Sequence, residues 1–352
     1  AGLAIPVGQP PITRVVARAR ARRRRTLTWT LGGVAVLALL LGVGTWLGTR
    51  PPEPAVPEAA VRQQVNPADI AWYANGVLHL AGVTVRLDGL TDVVEIPDGV
   101  VYADRDGRVV LVAADGELTR LGQTDPGKRL AASAERGWVA WVDQDTEELV
   151  VHSVVNDLEL GRHPVLDGAQ PVAIDQDKVF WAGAYGDWAW RVQEGDPEQL
   201  EGGTLLDVSS AVRAHRFADG IRIVQPLFDV EIRVPGEHAE LSPDGDHVVT
   251  WSGDDDPQDF RVFSTTSGEE ELVGLAPDDL PQVASFGPDS TISYIVAHGP
   301  NEEEREEFMR LSASGPRLLR TCELSTFGGG PLPPCRTITQ FSLNVGNPLL
   351  PH

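Results

Sequence analysis

A β-strand ending in a large aromatic residue recurs at a spacing near 40 residues, and no other feature constrains the fold of this chain as tightly. It runs Gly99-Val100-Val101-Tyr102, Gly137-Trp138-Val139-Ala140-Trp141, Lys178-Val179-Phe180-Trp181, His247-Val248-Val249-Thr250-Trp251 and Thr291-Ile292-Ser293-Tyr294. The end positions 102, 141 and 181 are 39 and 40 apart, and 251 and 294 are 43 apart. The gap of 70 between 181 and 251 holds a weaker unit around Ile221 to Val224, and an earlier unit ends at Trp72 or Tyr73. Units of this length with about four strands each predict the blades of a β-propeller. The roughly 280 residues available accommodate seven such units, with six or eight also open.

Tight-turn dipeptides punctuate the same region: Asn75-Gly76, Asp88-Gly89, Asp98-Gly99, Asp106-Gly107, Asp115-Gly116, Asp167-Gly168, Asp219-Gly220 and Asp244-Gly245. Asn-Gly and Asp-Gly supply the positive φ angles that two-residue hairpins need. No convincing amphipathic helix intervenes, so the expected fold class is all-β.

The beginning of the chain has a different character. Leu27 to Leu47 is free of charge over 21 residues and follows four consecutive arginines, Arg22, Arg23, Arg24 and Arg25. As a helix it would span ~32 Å, about the thickness of a bilayer core. Trp29 and Trp46 lie near its two ends, where amphipathic rings favour the headgroup level. Seven arginines precede the stretch and only Arg50 follows closely, which predicts a cytoplasmic N-terminal side and an extracytoplasmic domain. The apolar run is longer than a usual signal core and lacks a nearby small-x-small cleavage site, so a retained anchor is expected over a cleaved export signal. Domains are accordingly expected at 1–26 (basic cytoplasmic tail), 27–48 (single transmembrane helix), 49–66 (Pro-rich spacer, Pro51-Pro52-Glu53-Pro54 onward) and 67–352 (propeller).

Beyond residue 50 the chain carries 51 acidic residues against 21 basic ones. Such a surface repels nucleic acid, which argues against DNA or RNA as a partner. The 27 arginines against two lysines, Lys128 and Lys178, are the bias of GC-rich genomes and point to an actinobacterial source. Both cysteines, Cys322 and Cys335, fall on the predicted outer side, where pairing is allowed. Phe327-Gly328-Gly329-Gly330-Pro331-Leu332-Pro333-Pro334 between them suits a turn, which predicts a disulfide-stapled hairpin. A closed ring also needs its edge strands paired. The alternating segment Thr337 to Val345 is expected to pair with strands of the first blade.

Leu241-Ser242-Pro243-Asp244-Gly245-Asp246-His247-Val248-Val249-Thr250-Trp251 resembles the Ser-Pro-Asp-Gly turn and following strand of TolB-like and WD-repeat-like propeller blades. Phe286-Gly287-Pro288-Asp289-Ser290-Thr291-Ile292-Ser293-Tyr294 is a degenerate copy. Physically the motif is a side-chain-capped turn feeding a strand. The whole plan is similar to membrane-anchored actinobacterial propeller proteins, and that resemblance implies signalling or binding outside the cell.

Candidate sites are few. The eight histidines show no ligand spacing for zinc, and no Gly-x-Ser-x-Gly elbow or P-loop is present. Asp254, Asp255 and Asp256, with Asp259, form the densest acid cluster; calcium is one reading, a solvated loop the other. The aromatic patch Tyr185, Asp187, Trp188 and Trp190 would grip a sugar or peptide if exposed, with Gly186-Asp187 as its turn, or serve as inter-blade packing. Two functions follow. One is a non-enzymatic anchored module that presents a propeller face to a protein or cell-wall ligand, with no cofactor. The alternative is an extracytoplasmic glycosidase or lyase, which needs paired carboxylates about 5–10 Å apart at the propeller channel.

Overall fold

The computed structural model describes residues 60–252, 260–276, 279–287, 291–298, 316–324, 334–342 and 348–352. The predicted cytoplasmic tail with Arg22 to Arg25, the apolar stretch and most of the spacer lie outside them. Among the described residues no helix is long and apolar enough to cross a membrane.

Strands dominate, and they form seven four-stranded antiparallel sheets over residues 61–86, 90–123, 131–164, 170–200, 204–234, 238–271 and 279–342. These are blades 1 to 7 of an all-β propeller. In blades 2 to 7 the strands follow chain order across the sheet, and the first strands are neighbours from blade to blade around the axis. The core is a ring of seven separate apolar clusters, each wedged between two adjacent blades. That is why both faces of most strands read as apolar: a blade buries one face against each neighbour.

The aromatic period marks one strand type. Tyr102, Trp141, Trp181, Trp251 and Tyr294 all belong to the second strand of their blades. All but half-buried Trp251 are buried. The second strand of blade 5 is Val212–Phe217, with His215 buried in place of a large aromatic. The segment Ile221 to Val224, expected as the matching unit, is that blade's third strand, Gly220–Gln225. Trp72 and Tyr73 sit on the innermost strand of blade 1, Trp72–Ala74, rather than on a second strand.

Six of the eight turn dipeptides join neighbouring strands of one sheet. Asp88-Gly89 and Asp167-Gly168 instead link blades 1 to 2 and 3 to 4. Their glycines adopt φ of 74° and 82° all the same, because an outer-to-inner crossover also needs a left-handed residue. The Ser-Pro-Asp-Gly turn is side-chain capped as expected. Ser242 Oγ donates to Asp244 Oδ1 at 2.5 Å and accepts from the His247 N–H at 2.9 Å. The Gly245 N–H returns to the Ser242 carbonyl at 2.8 Å.

Ring closure differs from the expectation. Residues 336–342 pair with Pro316–Glu323 inside blade 7, and the Cys322–Cys335 disulfide holds them there. Residues 343–345 of the expected strand lie outside the described residues. The outer strand of blade 1 is Val61–Gln63, from within the stretch assigned to the spacer, paired with Val83–Arg86. Blades 1 and 7 therefore each form from contiguous chain. They meet through Ile70, Trp72, Ile295, Leu319 and Leu350. Leu349 adds a single bridge to the inner edge of blade 1, its N–H and C=O exchanging 3.0 Å hydrogen bonds with Tyr73.

Candidate functional site: the axial cavity

A cavity of about 540 Å³ lies on the propeller axis, lined by the inner strands. First strands of blades 2 to 7 line it, and it reaches the turns at Ser133–Glu135, Asp175–Gln176, Ser209–Ser210 and Pro243. Beside blade 1 the axis is occupied by Leu349 to His352.

Asp175, Asp207 and Glu240 line the cavity, Asp92 is bonded to the lining His352, and bulges precede two of these four carboxylates. The register of the first strand slips between Leu90 and Asp92 in blade 2, and between Leu205 and Asp207 in blade 5. One extra residue bends the strand and redirects the side chain that follows. Asp92 Oδ2 accepts the Leu130 N–H of blade 3 at 2.6 Å, and Asp207 Oδ2 accepts the Leu241 N–H of blade 6 at 2.7 Å. Glu240 of blade 6 accepts the Phe286 N–H of blade 7 at 3.2 Å. Asp175 of blade 4 accepts the Ala211 N–H of blade 5 at 3.0 Å. Each carboxylate thus satisfies a backbone donor of the next blade.

The electrostatics follow from enclosure and mutual charge. Burial, then the charge of Asp207, pushes the Glu240 carboxyl up to about 8. Burial raises Asp207 as well and lifts Glu95 to about 7. Burial would also raise Asp92, but His352 beside it and the Leu130 N–H outweigh that and hold it below the usual range. His352 Nε2 lies 2.8 Å from Asp92 Oδ1, and its Nδ1 lies 3.2 Å from Arg129 Nη2. Ser285 Oγ donates to the Pro351 carbonyl at 2.5 Å. Residues 349–352 are thereby tied to blades 1, 2, 3 and 7.

The aromatic patch lies elsewhere, on blade 4. Its turn is Ala184-Tyr185, between the paired Gly183 and Gly186, and Asp187 is already in the strand. Tyr185 is exposed, Trp188 is half-buried and stacked on Trp181, and Trp190 is buried. A Cβ on Gly161 of blade 3 would come within 2.9 Å of the Trp190 ring, so the two blades meet there at closest approach. Asp187 is buried on the other face, where it accepts the Leu205 N–H at 2.5 Å, and burial raises its carboxyl. The structure does not gather these four residues around one opening. Asp254, Asp255, Asp256 and Asp259 lie outside the described residues, among which no group of three His, Cys, Asp or Glu side chains is placed to hold a metal. The cysteines form the expected disulfide, Cys322–Cys335.

Sequence reasoning missed Asp92, Asp207 and Glu240. In a chain this acidic no single carboxylate stands out, although Leu90-Thr91-Asp92 and Leu205-Leu206-Asp207 share a pattern at the start of an inner strand.

No protein-family model matches the chain, and no curated protein matches it in sequence. Among solved structures it is similar to Hsv2 of Kluyveromyces lactis, with 13% identity over 68% of this chain and 74% of that one and a TM-score of 0.45. It is also similar to the RRP9 WD40 repeats, with 10% identity over 76% and 85% and a TM-score of 0.46. A third likeness is to the computationally designed Ika8 protein, with 14% identity over 79% and 88% and a TM-score of 0.45. At such identities the likeness concerns the fold alone.

Proposed function

We propose that this chain is a non-enzymatic binding or scaffold module, a propeller of TolB-like or WD-repeat-like plan held at the outer face of a membrane, that engages a protein or cell-wall ligand. One observation carries the reading. Asp207 and Glu240 of the axial cavity, like Asp92 beside it, are bonded to the backbone of the neighbouring blade, so they act as joints of the ring. The anchor rests on the uncharged Leu27 to Leu47 stretch and the arginines before it, and the outward orientation rests on the same charge asymmetry.

The test is crosslinking in cells with the full chain, gentle solubilisation and identification of what co-purifies. A stoichiometric partner, lost when residues on one propeller face are replaced, is the expected result. A clean preparation combined with turnover of a glycan would overturn it.

The enzyme alternative has one observation in its favour: Glu240, protonated near neutral pH, stands beside Asp207, and a general acid next to a carboxylate is what glycoside hydrolysis needs. Glycan turnover that disappears in Glu240→Gln would establish that reading.

A further inference from the structure

A second cavity, about 360 Å³, opens between blade 1 and the outer strand of blade 7, and its chemistry is opposite to that of the axis. One face of blade 1 supplies most of its lining. Pairing places Arg62, Thr84, His79 and Trp72 directly opposite one another across all four strands. Arg86 follows Thr84 by two residues and shares this face. Diagonal neighbours of this kind lie about 7–8 Å apart, close enough for both guanidinium groups to reach one ligand. The facing wall is Thr339, Gln340 and Phe341 of blade 7.

The wall is built in advance. Trp72 is buried, its ring 3.7 Å from His79 at an interplanar angle of 3° and 5.1 Å from Phe341. Its indole N–H donates to Asn66 Oδ1 at 3.1 Å, and buried Asn66 donates in turn to the Ile70 carbonyl at 2.9 Å. The two arginines stand out against that fixed background. Both are exposed, the lining contains no Asp or Glu, and among the described residues neither makes an ion pair. Arg108, Arg162, Arg233 and Arg320 pair with carboxylates, whereas Arg105, Arg136, Arg213 and Arg216 do not among the described residues; what sets Arg62 and Arg86 apart is that they share one face of one groove. Two adjacent guanidinium groups without an anion suit bidentate recognition of an oxyanion. The hydroxyl of Thr339 and the amide of Gln340 suit a polar body attached to it, and the volume is in the usual range for small-molecule sites.

We propose that this groove binds a sugar acid or sugar phosphate through its oxyanion, with Arg62 and Arg86 as the paired donors. It deepens the binding-module reading by naming a ligand class.

The experiment is calorimetric titration of the full chain with glucuronate, glucose 6-phosphate, inorganic phosphate and uncharged glucose. Saturable binding of at least one anion is expected, with glucose inert, and an Arg62→Gln/Arg86→Gln chain should bind at least tenfold more weakly. The corresponding double lysine variant should fall between, because it keeps charge but loses the fork. Preference for glucuronate or for the phosphates assigns the source of the oxyanion. No saturation by any anion, or equal binding by the double glutamine variant, overturns the proposal. Thermal melts of both variants separate loss of the site from loss of the fold. A failed titration leaves the protein-partner reading standing, and an absent partner leaves the groove standing.

Discussion

The axial cavity and the groove between blades 1 and 7 are built from the same kind of sheet, yet they treat charge in opposite ways. On the axis the carboxylates Asp92, Asp207 and Glu240 each hold an N–H of the next blade. In the groove two guanidinium groups face a rigid aromatic wall with no anion among the described residues. A charge that satisfies its neighbour's backbone is part of the architecture, because breaking it would leave a donor unpaired. A charge left unpaired inside a preformed cleft is available to a ligand. The comparison therefore separates where this molecule is held together from where it engages something else.

The largest effect should come from the segment that crosses the axis. Deleting residues 349–352 removes two backbone hydrogen bonds to Tyr73, at about 1 kcal/mol each. It also removes buried Leu350, at about 2 kcal/mol. A loss of roughly 4 kcal/mol should appear in urea unfolding as a lower midpoint with an unchanged slope. A loss below about 1 kcal/mol would mean that side-chain packing between blades 1 and 7 closes the ring unaided.

Next comes the disulfide. Replacing Cys322 and Cys335 together by alanine should cost about 3 kcal/mol by freeing a loop of this size in the unfolded chain. Hydrogen exchange should show the loosening concentrated in residues 336–342, hence in the groove wall at Phe341, with the axial joints still protected. Uniform loosening around the whole ring would show instead that the two regions are mechanically one.

The axial joints also predict an unusual pH response. Glu240 and Glu95 have folded values near 8 and 7, above the ordinary 4.5, and Asp207 is raised too. Their contribution is therefore fully present below about pH 4.5 and is lost as pH rises through 7 to 8. Asp92, held low, contributes above its ordinary value of 3.8, and that contribution is lost only as pH falls further. The melting temperature should accordingly be higher at pH 5.5 than at pH 8.5, by about 3–6 °C for a domain of this size. Glu240→Gln should flatten much of that slope. A melting temperature that rises towards pH 8.5 would mean that these carboxylates are ionised and solvated, and the axis would then be a candidate ligand site after all.

How much of this was legible in the sequence depends on whether the signal is periodic or positional. The propeller was legible because five blades repeat one demand: an apolar second strand after a turn, carrying Tyr102, Trp141, Trp181, Trp251 or Tyr294. Blade 5 broke the count because His215 meets the same burial requirement without a large aromatic. Closure was not legible, since alternation in 337–345 tells which face is buried but not which strand lies alongside. The Cys322–Cys335 bond decides that question locally. The axial carboxylates were hidden by number, among 51 acidic residues. The groove was hidden because Arg62 and Arg86 are 24 residues apart and meet only through the pairing of Val61–Gln63 with Val83–Arg86.

The smallest expected effect on stability is at the groove, and it is the sharpest discriminator between the two regions. Arg62 and Arg86 are exposed and unpaired among the described residues, so replacing both by glutamine should shift stability by no more than about 0.5 kcal/mol. Asp207→Asn on the axis exchanges one carboxylate oxygen for an amide and weakens the joint to Leu241, at a cost of about 1–2 kcal/mol. Denaturation of the two variants side by side, together with anion titration, forms a two-by-two test. The arginine variant should lose binding and keep stability, while the aspartate variant should do the reverse. If both variants lost stability alike, the guanidinium groups would be structural, and the distinction between joint and site would fail where it was drawn.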